Sequence, residues 1–289
     1  MSTTQFPQVA TSAGKTMPFD PSFLTMNRLL EEALTNPGVL SAAYSRFHEY
    51  SLGNRLAVIV QCLVRKIEVG PFASYAAWQK LDRQVKQGEK ALMILHPMYR
   101  AQEDENGKTE NILIGFTWKP TAFVLSQTDG EELELAAKVP FDLEKTLKEL
   151  NIKTVPFKHE DGNSLGFATK NREISVSPLS PRPERTLMHE IGHIMLGHCE
   201  KGTQVDIEKF AYSTNEVEAE AFSYIVCGML DMALDEDQVS ESRGYIRWWM
   251  ENGGKDQWSD TNARRVFTAV DRFLGLTKKS TSTSAPVAA

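Results

Sequence analysis

The chain has 289 residues, is 41% hydrophobic and carries a net charge of −6. That length suits one large or two medium domains with ordinary buried cores. No run approaches about 18 consecutive apolar residues, so hydropathy excludes a membrane-spanning helix.

Residues 1–18 are polar and irregular. Helical periodicity follows over Leu24 to Leu34 and again over Leu52 to Val64, after Tyr50-Ser51. Pro71 breaks the pattern, and Ser74 to Leu81 predicts a short helix. Ala91 to Pro97 is a short apolar run that predicts a strand ended by its proline. Asn111 to Trp118 and Ala122 to Leu125 predict two more strands. The polar loop 101–110, with Asn106-Gly107, suits a hairpin connection. Together these form a small α+β module. Basic and aromatic residues interleave within it. Residues 41–100 hold nine Lys/Arg against four Asp/Glu, so the segment is +5 and the remainder −11. Such asymmetry is a modest sign that this half meets a polyanion. Aromatic faces can stack unpaired bases while cations track the phosphates.

Ser126 to Glu132 is polar and acidic, a candidate linker. Asp142 to Leu150 predicts the first helix of a second domain.

The next motif carries the chemistry. His189-Glu190-Ile191-Gly192-His193 lies in a run with helical periodicity, entered through Pro181-Arg182-Pro183-Glu184. Positions four apart on a helix lie about 40° apart around the axis, so both imidazoles leave one face. They form a ready pair of ligands for a divalent metal, most often zinc. Glu190 projects beside them, where it can take a proton from a metal-bound water. Gly192 costs helix stability unless something approaches closely. His198, five residues beyond His193, falls past the expected helix end. Nothing in the sequence supports it or Cys199 as a ligand.

Two histidines leave a zinc ion short of a protein ligand. The following helical run begins Asn215-Glu216-Val217-Glu218-Ala219-Glu220. Three glutamates compete. Glu216 and Glu220 share a face, while Glu218 points toward the side of Phe222 and Ile225. Glu216 as ligand, with Glu220 holding an imidazole in its correct tautomer, meets both needs of such a site. Glu218 keeps the assignment open. The oxyanion-stabilising group is not evident; Tyr212 and Tyr245 are weak candidates.

The three cysteines, Cys62, Cys199 and Cys227, are odd in number and far apart. They make no disulfide framework and no zinc-ligand spacing, which points to a reducing cytoplasm. The N-terminus lacks a charged start followed by an apolar core, so no secretory signal is expected. Residues 278–289 read as a disordered tail.

Glu216, Glu220 and Phe222 resemble the Glu-x-x-x-Asp-x-Phe spacing of thermolysin-type gluzincins, with Glu220 in place of Asp. Residues 164–230 resemble the ImmA/IrrE-type zincin domains, in which a strand pair precedes the metal helix; Gly166 to Val176 fits that pair with Lys170-Asn171 at its turn, and the strand after such a turn borders the substrate cleft. Tyr50 to Leu56, Gln61, the run Trp78 to Lys90 and Ile94 to Pro97 resemble the N-terminal domain of ArdC-type antirestriction proteins. So do Tyr245-Ile246-Arg247-Trp248-Trp249 at the last helices. One departure is Glu218, where the family commonly carries Glu-Leu-Val-Ala-Glu across this stretch.

The resemblance implies a two-domain α+β protein. A single-stranded-DNA-binding domain would cover 1–128 and a gluzincin-like metallopeptidase domain 129–277. It implies one Zn2+ per chain on His189, His193 and Glu216, with Glu190 catalytic and Glu220 behind the ligands. The candidate DNA contacts are Arg55, Tyr75, Trp78, Lys80, Arg83, Lys86 and Lys90. The implied function is protection of incoming conjugative plasmid DNA from host restriction, with a host restriction protein as the peptidase target. Two other readings stay open. One is a metallopeptidase that cleaves a regulatory protein. The other is a DNA-binding protein whose zincin domain is structural, against which an intact Glu190 argues.

Overall fold

The computed structural model describes residues 24–35, 39–40, 43, 50–103, 109–133, 141–158, 165–200, 214–232, 236–252 and 258–275. The N-terminal stretch 1–18, the tip of the 101–110 loop, Tyr212 and the 278–289 tail lie outside these residues.

Helices α1 (Met26–Thr35) and α2 (Leu52–Arg65) come first. The Ser51 hydroxyl caps α2 at the Asn54 amide, and Lys66 ends it in a left-handed conformation. Strand β1 (Phe72–Ser74) leads into α3 (Tyr75–Lys80), capped by Ser74. Strand β2 (Arg83–Val85) follows, and then a long antiparallel hairpin, β3 (Leu92–Glu103) with β4 (Thr109–Val124). The sheet order is β1-β4-β3.

Pro97, expected to end its strand, does not, and Pro120 also lies inside a strand. Pro97 sits inside β3, opposite Phe116. Strand β3 is an edge strand, and the side from which Pro97 would donate faces away from β4. Pro120 lies within β4 beyond the end of β1, beside a register shift, so one strand, Thr109–Val124, stands where two were expected. The free edge of β3 is covered by side chains. Asn54 accepts from the Leu95 amide at 2.7 Å and donates to its carbonyl at 3.1 Å. Gln61 makes the same pair of bonds with Met93, both at 2.8 Å. These two amides of α2 act as a surrogate strand.

The candidate linker also proves structured. Leu125–Gln127 forms a 3-10 turn, and β5 (Thr128–Gly130) pairs antiparallel with β2. The N-terminal module therefore continues to at least Gly130. Helix α4 (Leu143–Glu149), capped by Asp142, opens the second part. A three-stranded sheet of order β6-β8-β7 joins β6 (Lys153–Thr154), β7 (Gly166–Ala168) and β8 (Glu173–Val176). Helices α5 (Pro183–Met195), α6 (Thr214–Met229), α7 (Glu236–Asn252) and α8 (Asp260–Phe273) complete the described chain.

The two parts do not have separate cores. One hydrophobic cluster contains Leu30 and Leu56 from the first half and Phe222, Val226 and Phe267 from the second. Tyr224 donates to the Leu34 carbonyl at 3.3 Å. Arg55, fully buried on α2, pairs with Asp271 of α8 at 2.9 Å. Among the described residues no helix is long and apolar enough to cross a membrane. The three cysteines are all buried and free.

Candidate metal centre

Helix α5 starts with Pro183 in its first turn, where the missing N–H costs nothing. It packs against β7, β8 and α6. Gly192 is the point of closest approach to α6. A Cβ there would lie 3.1 Å from the Phe222 ring and 3.2 Å from the Ala219 backbone. The missing side chain lets α6 bring its first turn over the two histidines.

That approach closes a triangle of donor atoms. His189 Nε2 and His193 Nε2 are 3.1 Å apart. Glu216 Oε2 is 3.2 Å from the former and Glu216 Oε1 is 3.4 Å from the latter. Ligands about 2.0–2.1 Å from a tetrahedral zinc lie about 3.3 Å from one another, so the spacing fits. Glu216 Oε1 is buried without a hydrogen-bond partner. A cation at the centre would satisfy it. Among the described residues, His189, His193 and Glu216 form the group of His, Cys and acidic side chains placed to hold a metal ion.

The electrostatics agree. Burial opposes charge on His189, but hydrogen bonds to Glu216 and Glu220 outweigh it and raise this histidine to about 10. His193 is lowered, chiefly by burial. Burial works against ionisation of Glu216 too, yet the close approach of both histidines holds it well below the usual carboxylate range. His189 thus faces a carboxylate at each ring nitrogen, Glu220 at Nδ1 and Glu216 at Nε2.

Glu190 is buried, and burial pushes its carboxyl up to about 7 against the pull of His189. Gly166 of β7 lies against it: a Cβ there would sit 2.8 Å from Glu190 Oε1. Glu220 lies behind the candidate ligands, 3.3 Å from His189 Nδ1 and paired with Arg185. Despite its burial, bonding to His189 and the charge of Arg185 lower Glu220 to about 2.

Two residues have places that the sequence did not reveal. Glu218 is fully buried and turned away from the donor triangle. Its Oε2 lies 2.9 Å from His198 Nε2, and His198 Nδ1 lies 3.0 Å from His193 Nδ1. A readable signal existed for His198. Gly197, in a left-handed conformation, ends α5. Its amide bonds the Ile194 carbonyl, and the His198 amide bonds that of His193 at 2.9 Å. This is a Schellman ending, and it folds His198 back beneath His193.

The seven candidate DNA contacts divide. Arg55, Trp78 and Arg83 are interior. Arg55 holds Asp271 and the Ala43 carbonyl. Trp78 is 1% exposed and donates to the Phe123 carbonyl at 2.9 Å. Arg83 bonds Thr128 and the Glu131 carbonyl, pinning β5. Their side chains are spent on the fold, which corrects the expectation for these three. Tyr75, Lys80, Lys86 and Lys90 are exposed. Tyr75 accepts from Gln84 at 2.6 Å, and Lys86 donates to the Ser126 carbonyl at 2.9 Å. Tyr99 and Phe116, outside the expected set, are exposed on the β3–β4 ribbon. Of the two oxyanion candidates, Tyr245 packs against the core from α7, and Tyr212 is among the residues not described.

Known proteins place this geometry. Residues 31–143 match the N-terminal domain of anti-restriction factor ArdC, and residues 147–259 match the IrrE N-terminal-like domain of the M78 peptidases. The crystal structure of the Mn(II)-bound antirestriction ArdC protein from the R388 plasmid aligns with a TM-score of 0.51 at 14% identity. That alignment covers 91% of this chain and 100% of the other. The metal-free form gives 0.49 at 16% identity, covering 90% and 100%. No curated protein matches significantly. With an ArdC-type N-terminal domain and an IrrE-like domain present in tandem, in that order, on a two-part α+β fold, the chain is ArdC-type in its domain organisation.

Proposed function

We propose that this chain is an antirestriction protein that binds single-stranded DNA and carries a working metallopeptidase centre. The observation that carries the second half is the donor triangle of 3.1–3.4 Å with Glu190 buried beside it. Three protein ligands suit a catalytic site, which keeps a position open for water or substrate. Zn2+ fits the nitrogen-rich set, and Mn(II), found in the R388 relative, is the alternative ion. The bound ion would supply Lewis-acid polarisation and an acidified water. Glu190 accepts the proton of the attacking water and returns it to the leaving amine. Gly166 leaves the space beside Glu190 clear of side chain.

The DNA half rests on the ArdC N-terminal domain match and on the exposed Tyr75, Lys80, Lys86 and Lys90. Binding is to the full chain in a reducing cytoplasm, with little base preference and a steep loss of affinity as salt rises. The N-terminal module ends and the peptidase domain begins between Gly130 and Asp142. A restriction-system protein is the proposed peptidase target, and incoming plasmid DNA the beneficiary.

The test pairs two assays on wild type and Glu190→Gln. Wild type binds single-stranded oligonucleotide with a clear salt slope and hydrolyses a peptide substrate. The variant keeps its metal and its DNA affinity but loses hydrolysis. Salt-independent DNA binding, or tighter binding to duplex, would contradict the DNA reading. A folded Glu190→Gln protein that loses DNA affinity would place the cleft in the DNA path.

A further inference from the structure

We propose that His198 and Glu218 set the tautomer of the metal ligand His193, and that Asn262 and Arg265 of the last helix hold them in place. The proposal rests on the divalent-metal reading above and names how one ligand is held.

The geometry runs in one direction. His193 can offer Nε2 to a cation only if its proton is on Nδ1. Among the described residues that Nδ1 meets His198 Nδ1 at 3.0 Å, which must then accept. With Nδ1 as acceptor, neutral His198 carries its proton on Nε2. Nε2 meets Glu218 Oε2 at 2.9 Å, an acceptor in the right place. The chain of bonds from metal ligand to carboxylate is complete, with each proton assigned once.

The carboxylate at its end is fixed in turn. Glu218 is fully buried, a position a charge occupies only with partners. Its other oxygen, Oε1, accepts from Asn262 Nδ2 at 2.8 Å and from Arg265 at 3.0 Å. Arg265 also donates to the Leu196 carbonyl at 3.0 Å, at the end of α5. Two of the competing glutamates therefore serve the two histidines separately. Glu220 approaches Nδ1 of His189 directly, while Glu218 reaches Nδ1 of His193 through His198. His198 and Glu218 are positioning residues. They touch neither the donor triangle's centre nor any substrate.

The test measures Zn2+ affinity of the full chain by competition with a chromogenic chelator, with circular dichroism alongside. His198→Phe keeps the volume and removes the acceptor; it should weaken zinc binding about 10–100-fold at unchanged stoichiometry. His198→Gln keeps a carbonyl toward His193 and an N–H toward Glu218, and should recover most of the loss. A folded His198→Phe protein with wild-type affinity overturns the proposal. A wild type that binds no zinc overturns the metal reading and this one with it. Should His198→Phe fail to fold, nitrogen-15 histidine spectra of the zinc-loaded wild type decide. Protonated Nδ1 on His193 supports the arrangement, and protonated Nε2 overturns it.

Discussion

At the residue scale the chemistry turns on where one proton sits. Glu216 and Glu220 raise His189 to about 10, while His193 is lowered. A cation must displace the proton of His189 to reach its Nε2. Metal loading at pH 7–8 should therefore release about one proton per chain. The sign follows: affinity falls as pH drops, because the proton competes. Titration calorimetry in buffers of different ionisation enthalpy measures the number, and no release would show that His189 is already neutral. Glu216 was legible as a candidate ligand because it opens a helix with Glu220 one turn on. Glu218 was not legible. Its role depends on His198, Asn262 and Arg265, the last two more than 40 residues away in sequence.

At the element scale, two contacts decide whether the site forms. The first is the crossing of α5 and α6 at Gly192. Gly192→Ala places a methyl 3.1–3.2 Å from Phe222 and Ala219, and the helices must part. Overpacking of this kind costs about 1–3 kcal/mol, and here it also widens the donor triangle. Chemical denaturation and zinc affinity should both fall. A stable variant with wild-type affinity would show that the crossing has slack. The second is α3, a helix of six residues whose one buried position belongs to Trp78. Trp78→Ala should cost about 3–5 kcal/mol and unfold the surrounding module rather than weaken DNA binding selectively. Loss of DNA affinity with an unchanged denaturation curve would return Trp78 to the DNA surface. Periodicity gave α1, α2, α3 and the helix of the two histidines close to their ends, and the zincin resemblance gave the β7–β8 pair. It could not say which side of so short a helix faces inward. Nor could it see that Pro97 and Pro120 lie where a missing N–H faces no partner strand. That depends on sheet order, which is set by tertiary contacts.

At the scale of the whole molecule, α8 joins the two halves. Asp271 accepts from Arg55 and from the Leu52 amide at 2.9 Å. Asp260 accepts from the Asn27 amide at 3.0 Å, and Arg265 reaches Glu218 behind the metal ligands. Burial pushes Asp271 up to about 6 against the pull of Arg55, so it remains ionised at pH 7. Asp271→Ala strands a buried guanidinium and should cost about 3–5 kcal/mol. A single unfolding transition that moves as one would confirm a shared core. Two transitions, with the metal-dependent one unmoved, would mean independent halves. The boundary expected at residue 128 came from a resemblance and a polar, acidic stretch, and neither reveals a core assembled from both ends of the chain. The central claim remains the donor triangle, and bound metal per chain at saturating zinc tests it most directly. The account predicts one ion for wild type, none for the paired His189→Ala and His193→Ala substitutions, loss in Glu216→Ala, and one ion bound more weakly in Glu218→Ala. A Glu216→Ala protein that keeps its ion while Glu218→Ala loses it would contradict the account.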